Sequence, residues 1–256
     1  MSDVIEIERN EDSDTRKPSI LVRVIRTAGW TSIGLGLFLL GFVVHQLYVT
    51  TWFAQQNNDT LETEAVEHFE TATITEVEYI DPVTQEPIVP PVSDDPSAPD
   101  QEPLRVLAEE PPEEGDPFAI IRIPSIERLQ EGWTVVEGVR RSDLKNGAGH
   151  MPDTPLPGQP GNAVIAGHRT TYGAPFHEFD ELVPGDIIEV ETALGVHTYA
   201  VSETLIVRPT EVWVTDPREG AWLTLTTCHP KFSSRQRLVV FAELVEGPNA
   251  EVILAA

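Results

Sequence analysis

From Thr27 to Asn58 the chain contains no Lys, Arg, Asp or Glu, and no other feature restricts its possible folds as strongly. The middle of that stretch, AGWTSIGLGLFLLGFVVHQLY (Ala28 to Tyr48), is 21 residues long and mostly apolar. At about 1.5 Å per residue it makes a helix of roughly 30 Å, the thickness of a bilayer's hydrocarbon core. Trp30, Tyr48 and Trp52 lie near its ends, where amphipathic rings favour the headgroup layer. A core helix this long without a charge is rare, and a cleaved leader is shorter and closely followed by a small-residue cleavage site. The stretch reads as an uncleaved transmembrane signal anchor, residues 27–53.

Arg16, Lys17, Arg23 and Arg26 precede this segment, and no basic residue follows it until Arg105. The positive-inside rule makes residues 1–26 a cytoplasmic tail and puts everything after Trp52 outside. The expected location is the cell membrane, crossed once; the terminal EGPNAEVILAA is far too short to span.

The net charge of −25 argues against nucleic-acid binding, but it is unevenly distributed. Residues 57–116 hold 18 acidic residues against Arg105 alone, a net 17 of the 25 excess negative charges, together with nine prolines. Such a segment has little apolar area to set against ordering entropy. Residues 54–116 are therefore expected to form a disordered acidic linker, self-repelling and able to lift a domain tens of Å from the membrane.

From Phe118 the texture changes. FAIIRIP, WTVVEGV, NAVIAG, DIIEVET, VHTYAVS, ETLIV, WLTLTTC and RLVVFAEL recur between turn formers such as TPLPGQPGN and VPGD. About eight short β-branched stretches indicate an all-β barrel or sandwich over residues 117–247, with 248–256 a C-terminal tail. GAPFHEFDEL reads as a short helix with Phe176, Phe179 and Leu182 on one face.

Cys228 is the only cysteine. Outside a cell a lone cysteine is an intermolecular link, a buried small hydrophobe or a reactive thiol. Cys228 ends the WLTLTTC strand, and strand ends are where barrels present side chains to ligands. A thiol acting at neutral pH needs a basic or cationic partner. His45 lies in the apolar span and His68 in the acidic segment; His150, His177, His197 and His229 have no distinguishing context. His168 directly follows NAVIAG, so it too stands at a strand end, although on this context alone a structural histidine is the more ordinary reading. In RLVVFAEL, alternation puts Leu238, Val240, Ala242 and Leu244 on one face and Arg237 on the other. No HExxH, CxxC, GxxxxGK[ST] or GxSxG occurs, so no metal site, phosphate loop or α/β-hydrolase elbow is expected.

These residues resemble the sortases, bacterial membrane-anchored cysteine transpeptidases. The resemblance covers roughly residues 118–245 and rests on Thr224-Leu225-Thr226-Thr227-Cys228, on Arg237 opening the next strand, and on Ala166-Gly167-His168. GHRTTYGAPF with TLTTCHPKFSSRQR looks most like class E sortases of high-GC Gram-positive bacteria. The resemblance implies an eight-stranded sortase-like β-barrel with short helices and no cofactor. Cys228 would be the nucleophile, His168 the general acid/base and Arg237 the stabiliser of oxyanion and substrate; Arg235 and Arg169 are rivals for that third role. Thr227 and Tyr172 are expected to contact substrate. The implied partners are surface proteins ending in an LPxTG- or LAxTG-type sorting signal and the amine of a lipid-linked peptidoglycan precursor. Pilin polymerisation, or a non-enzymatic membrane-anchored domain that binds cell wall or protein, are the alternatives. Asp116-Pro117-Phe118 resembles a pilin-sortase lid motif but abuts the first strand, and reads as the linker's exit.

Overall fold

The computed structural model describes residues 19–45, 48, 50–90 and 102–256. Two units divide it, one ending at His45 and the other running from Gln46 to Ala256. In the first, Ser19 caps helix α1 (Ile20–Val44), its Oγ accepting the Val22 N–H at 3.4 Å. No residue of α1 is buried, and its 25 residues, about 37 Å, are long and apolar enough to cross a bilayer. The helix starts seven residues ahead of the expected span, and residues 50–53 belong to the next helix.

The expected linker is a correction. Helix α2 (Thr50–Thr71) occupies its first part and packs along the barrel. Ala54, Asn58, Leu61 and Ala65 are its buried positions, at helical spacing. Mostly small, they let the helix lie close to the sheet, a stripe invisible to a search for large apolar residues. The Asn58 Oδ1 accepts the Thr134 N–H at 2.9 Å. Strands β1 (Ile74–Glu78) and β2 (Arg105–Glu109) then form an antiparallel ribbon. Tyr79 and Val106 enter the core, and the buried Glu109 meets His68 Nε2 at 3.0 Å. Asn249 pins the ribbon from the far end of the chain, donating to the Leu107 carbonyl at 2.8 Å and accepting the Leu107 N–H at 2.9 Å. Only residues 91–101 of the acidic segment lie outside the described residues.

Eight strands close the barrel: β3 (Pro117–Arg122), β4 (Trp133–Glu137), β5 (Ala148–His150), β6 (Gly161–Ala166), β7 (Ile187–Thr192), β8 (Gly195–Val207), β9 (Ala221–His229) and β10 (Gln236–Glu246), in the spatial order β10-β8-β7-β3-β4-β5-β6-β9. The sequence count of eight is met with different members. VHTYAVS and ETLIV are one 13-residue strand, while β5 is too short and too glycine-rich to show a pattern. Gly149 there approaches the Gly138 carbonyl so closely that no side chain fits. GAPFHEFDEL is a loop with one 3₁₀ turn (Phe179–Glu181), not an α-helix. Its spacing of three suits that turn equally well, and Phe176, Phe179 and Leu182 are buried as expected, the two rings stacked at 4.0 Å. Asp116-Pro117-Phe118 leads into β3 with Phe118 fully buried, so it covers nothing. A short helix α3 (Ala250–Ala255) ends the chain.

Two barrel pairs are parallel, β4–β5 and β6–β9. The second matters most, because parallel neighbours bring two C-terminal strand ends to one rim.

Candidate active site

Register builds the site. β6 and β9 pair from Gly161↔Ala221 to Ala166↔Thr226, and the Gly167 N–H continues the ladder to the Thr226 carbonyl at 3.1 Å. His168, next after Gly167, thus leaves its strand alongside Cys228. From the other side β10 runs antiparallel to β9, with Arg237 directly opposite Cys228. Opposed residues share a face. Cys228, Thr226 and Thr224 therefore face outward with Arg237, Val239 and Phe241, while Leu223, Leu225, Leu238 and Val240 fill the core. The structure brings together the three residues singled out for chemistry.

Cys228 is a free, half-buried thiol. The His168 Nε2 is buried with no hydrogen-bond partner among the described residues. The other barrel histidines each have a partner: His150 lies between Glu137 at 2.7 Å and Pro155 O at 3.0 Å, His177 on the Arg169 carbonyl at 2.7 Å, His229 on Arg169 at 2.8 Å, and His197 Nε2 on Thr192 at 3.2 Å, although the His197 Nδ1 is also buried without a partner among the described residues. Burial, and to a lesser degree the nearby Arg141, push the His168 pKa below its ordinary value. Its imidazole is neutral at pH 7 and can accept a proton from a thiol. Arg237 has no carboxylate partner among the described residues; its Nη1 donates only to the Ser234 and Gln236 carbonyls, at 3.2 and 3.1 Å. Its backbone stands opposite that of Cys228.

Arg169 does different work. Only 2% exposed, it donates from Nη1 to the Cys228 carbonyl at 3.3 Å and to His229 Nδ1 at 2.8 Å, and pairs through Nη2 with Asp180 at 2.7 Å. Burial raises the Asp180 carboxyl, but its own backbone N–H, Arg169 and Lys231 outweigh that and hold it below the ordinary carboxylate value. Arg169 therefore clamps the backbone of the thiol. Arg235 is exposed in the β9–β10 loop. Nothing in the sequence marks Arg169 as a clamp except its place beside His168.

Thr227 is a correction. It lies on the inner face, 3% exposed, and donates from Oγ1 to the Gly167 carbonyl at 2.7 Å. Its hydroxyl ties the residue before His168 to the residue before Cys228 and is not free for substrate. Tyr172 stands at the site: its ring lies 5.1 Å from that of His168, with Lys145 Nζ 5.8 Å from its centroid. The loop holding it is tight, since Gly173 adopts φ +78° and a side chain there would meet the Trp133 indole. Tyr172 also lines a cleft of about 340 Å³ with Phe53 and Ala54, so α2 walls the histidine side, which sequence reasoning missed.

Away from Cys228 the outer face continues as a strip between strands. Val207, Val214, Val239 and Phe241 cluster beneath a 3₁₀ turn at Val212–Thr215. The Arg218 guanidinium lies 4.0 Å from the Phe241 ring centroid and 4.8 Å from that of Trp222. Asn162 accepts the Thr224 hydroxyl at 2.6 Å and donates to the Val214 and Asp216 carbonyls, bracing this floor. Among the described residues no three His, Cys, Asp or Glu side chains gather as a metal site.

The family model described as Sortase domain matches residues 121–245, from β3 to β10. Sortase SrtE1 of Streptomyces coelicolor is 33% identical over 150 residues, 52% of this chain and 42% of that protein. Sortase SrtE2 of the same organism is 37% identical over 136 residues, 46% of this chain and 53% of that protein. The chain spans about half the length of these curated relatives. The solved SrtF sortase from Corynebacterium diphtheriae is 30% identical, with 53% of this chain and 88% of that one covered, at a TM-score of 0.50.

Proposed function

Because the chain belongs to the sortase family and resembles its class E members, we propose that it is a membrane-anchored cysteine transpeptidase. In this reading α1 is the anchor, its N-terminus cytoplasmic and the barrel outside, consistent with the basic residues ahead of it. The observation that carries the proposal is the pairing of Arg237 with Cys228 in register, next to the strand end that bears His168, whose Nε2 has no partner among the described residues.

The acyl donor is a surface protein bearing an LPxTG- or LAxTG-type signal. His168 takes the thiol proton as the Cys228 sulfur attacks the threonine carbonyl of the Thr–Gly bond. Arg237 faces the developing oxyanion, a role worth about 3 kcal/mol for one well-placed donor. The C–N bond then breaks, and His168 returns its proton to the departing glycine amine, leaving a thioester on Cys228. An amine, that of a lipid-linked peptidoglycan precursor, enters where glycine left. His168 takes its proton, the new C–N bond forms, and the sulfur is released and reprotonated. One amide is exchanged for another, so no cofactor and no redox partner are required.

The test is mass spectrometry of the full chain with sorting peptides varied at the second motif position. A thioacyl adduct on Cys228, discharged by a peptidoglycan-type amine and absent in Cys228→Ala, is expected. Turnover by folded Cys228→Ala would end the proposal. Discharge by a pilin-type lysine donor alone would replace cell-wall attachment with polymerisation.

A further inference from the structure

Four exposed aromatic side chains stand beside the site and take no part in the chemistry above. Tyr48, Trp52 and Phe232 line a cleft of about 500 Å³ that also touches Arg128 and His177. Phe53 lines the neighbouring cleft with Tyr172. Their exposures are 71%, 54%, 77% and 58% for Tyr48, Trp52, Phe232 and Phe53. Phe232 lies four residues after Cys228 and is held outward at φ +66°, a region bulky residues avoid.

Helix α2 is divided along its length. Residues 50–58 carry no charge and close the apolar stretch of the sequence, whereas the remainder holds Asp59, Glu62, Glu64, Glu67 and Glu70. The helix is fastened to the barrel through Ala54 and Asn58, so its uncharged end stays beside the site. In a chain of net charge −25, the loops around the same rim supply Arg141, Lys145, Lys231 and Arg235. The amphipathic rings of Tyr48 and Trp52, the apolar rings of Phe53 and Phe232, neighbouring cations and an adjoining apolar segment are what a bilayer headgroup layer accepts.

We propose that Tyr48, Trp52, Phe53 and Phe232 seat the catalytic rim on the headgroup layer of the membrane that α1 crosses. The acidic end of α2, repelled by anionic headgroups, points away and sets the pose. The barrel then works at the bilayer surface, not tens of Å above it on an extended linker, and it meets substrates that are themselves lipid-anchored. The proposal rests on the reading of α1 as an anchor.

The test uses the full chain carrying Cys228→Ala, reconstituted in phosphatidylcholine vesicles containing phosphatidylglycerol. An environment-sensitive fluorophore is placed on Ser234→Cys, near Phe232, or on Val196→Cys at the opposite end of β8. Lipids with nitroxide headgroups are expected to quench the first label about threefold or more over the second, and Trp52→Ser with Phe232→Ser should abolish the difference. Equal, water-like quenching in vesicles that carry the protein on flotation overturns the seat alone. Failure to co-float overturns the anchor and the seat with it. A label at 234 that escapes lipid quenching but self-quenches as protein density rises assigns the patch to a second copy, which also overturns the proposal.

Discussion

Replacing each of two arginines near the thiol by lysine separates holding the site from running it. Arg169 is buried and serves the Cys228 carbonyl, His229 and Asp180 together. The Asp180 side chain is 45% exposed and can turn to water, so that pair is discounted to about 1 kcal/mol or less. The two half-buried acceptors each lose a charge-assisted bond, about 1–2 kcal/mol apiece after partial rehydration. Arg169→Met should therefore cost about 3 kcal/mol, and Arg169→Lys, which keeps one of the contacts, about half that. At about 3 °C per kcal/mol for a domain of this size, the melting temperature falls by roughly 9 °C and 5 °C. Arg237 donates only to the Ser234 and Gln236 carbonyls and is half-buried, so Arg237→Lys should shift stability by about 0.5 kcal/mol. Its cost appears in catalysis. An ammonium cannot reproduce the guanidinium's planar fork of donors, and loss of an oxyanion contact of about 3 kcal/mol slows thioacylation on the order of 100-fold. Thermal unfolding by circular dichroism and the thioacylation rate by mass spectrometry measure the two axes. The reverse pattern, Arg169→Lys fully stable but inactive and Arg237→Lys active but unstable, would refute the assignment.

Other outcomes follow from the same geometry. Burial lowers the pKa of His197 to about 4, while its unfolded value is about 6.5, so the unfolded chain binds the extra proton between those values. Stability should therefore fall by about 3 kcal/mol as pH drops from about 6.5 to 4, with His168 adding in the same direction. Urea unfolding at pH 7 and 4.5 reads this, and His197→Gln should flatten most of the slope. Asn58→Ala leaves the buried Thr134 N–H without its acceptor, at about 1–2 kcal/mol, and should make that amide exchange-labile; unchanged protection would mean that α2 is not docked as described. Gly173→Ala forces a left-handed alanine against Trp133, and a loss of about 2 kcal/mol with slowed thioacylation is expected. An unchanged melting temperature would show that the loop relaxes freely.

The barrel was legible because its strands are short β-branched apolar runs set off by turn formers, and the site because motif residues fall at strand ends. Helix α2 was not, since its buried stripe is built largely from alanine and asparagine and its exposed face carries the acidity that reads as linker. β5 is three residues long, and the 3₁₀ turn at Phe179 shares its spacing with a helix. Thr227 faces the core and not substrate, because adjacency to a thiol along the chain says nothing about which face a side chain takes.

Local composition was enough to specify an apolar membrane-length helix and short β-branched strands, since those depend on neighbours within a few residues. The meeting of His168, Cys228 and Arg237 depends on β6 lying parallel to β9 and on a one-residue choice of register with β10. The clamp at Arg169 and the docking of α2 likewise join residues tens of positions apart. Such contacts are set by closure of the barrel, whose packing selects one pairing among many that the strands alone would allow.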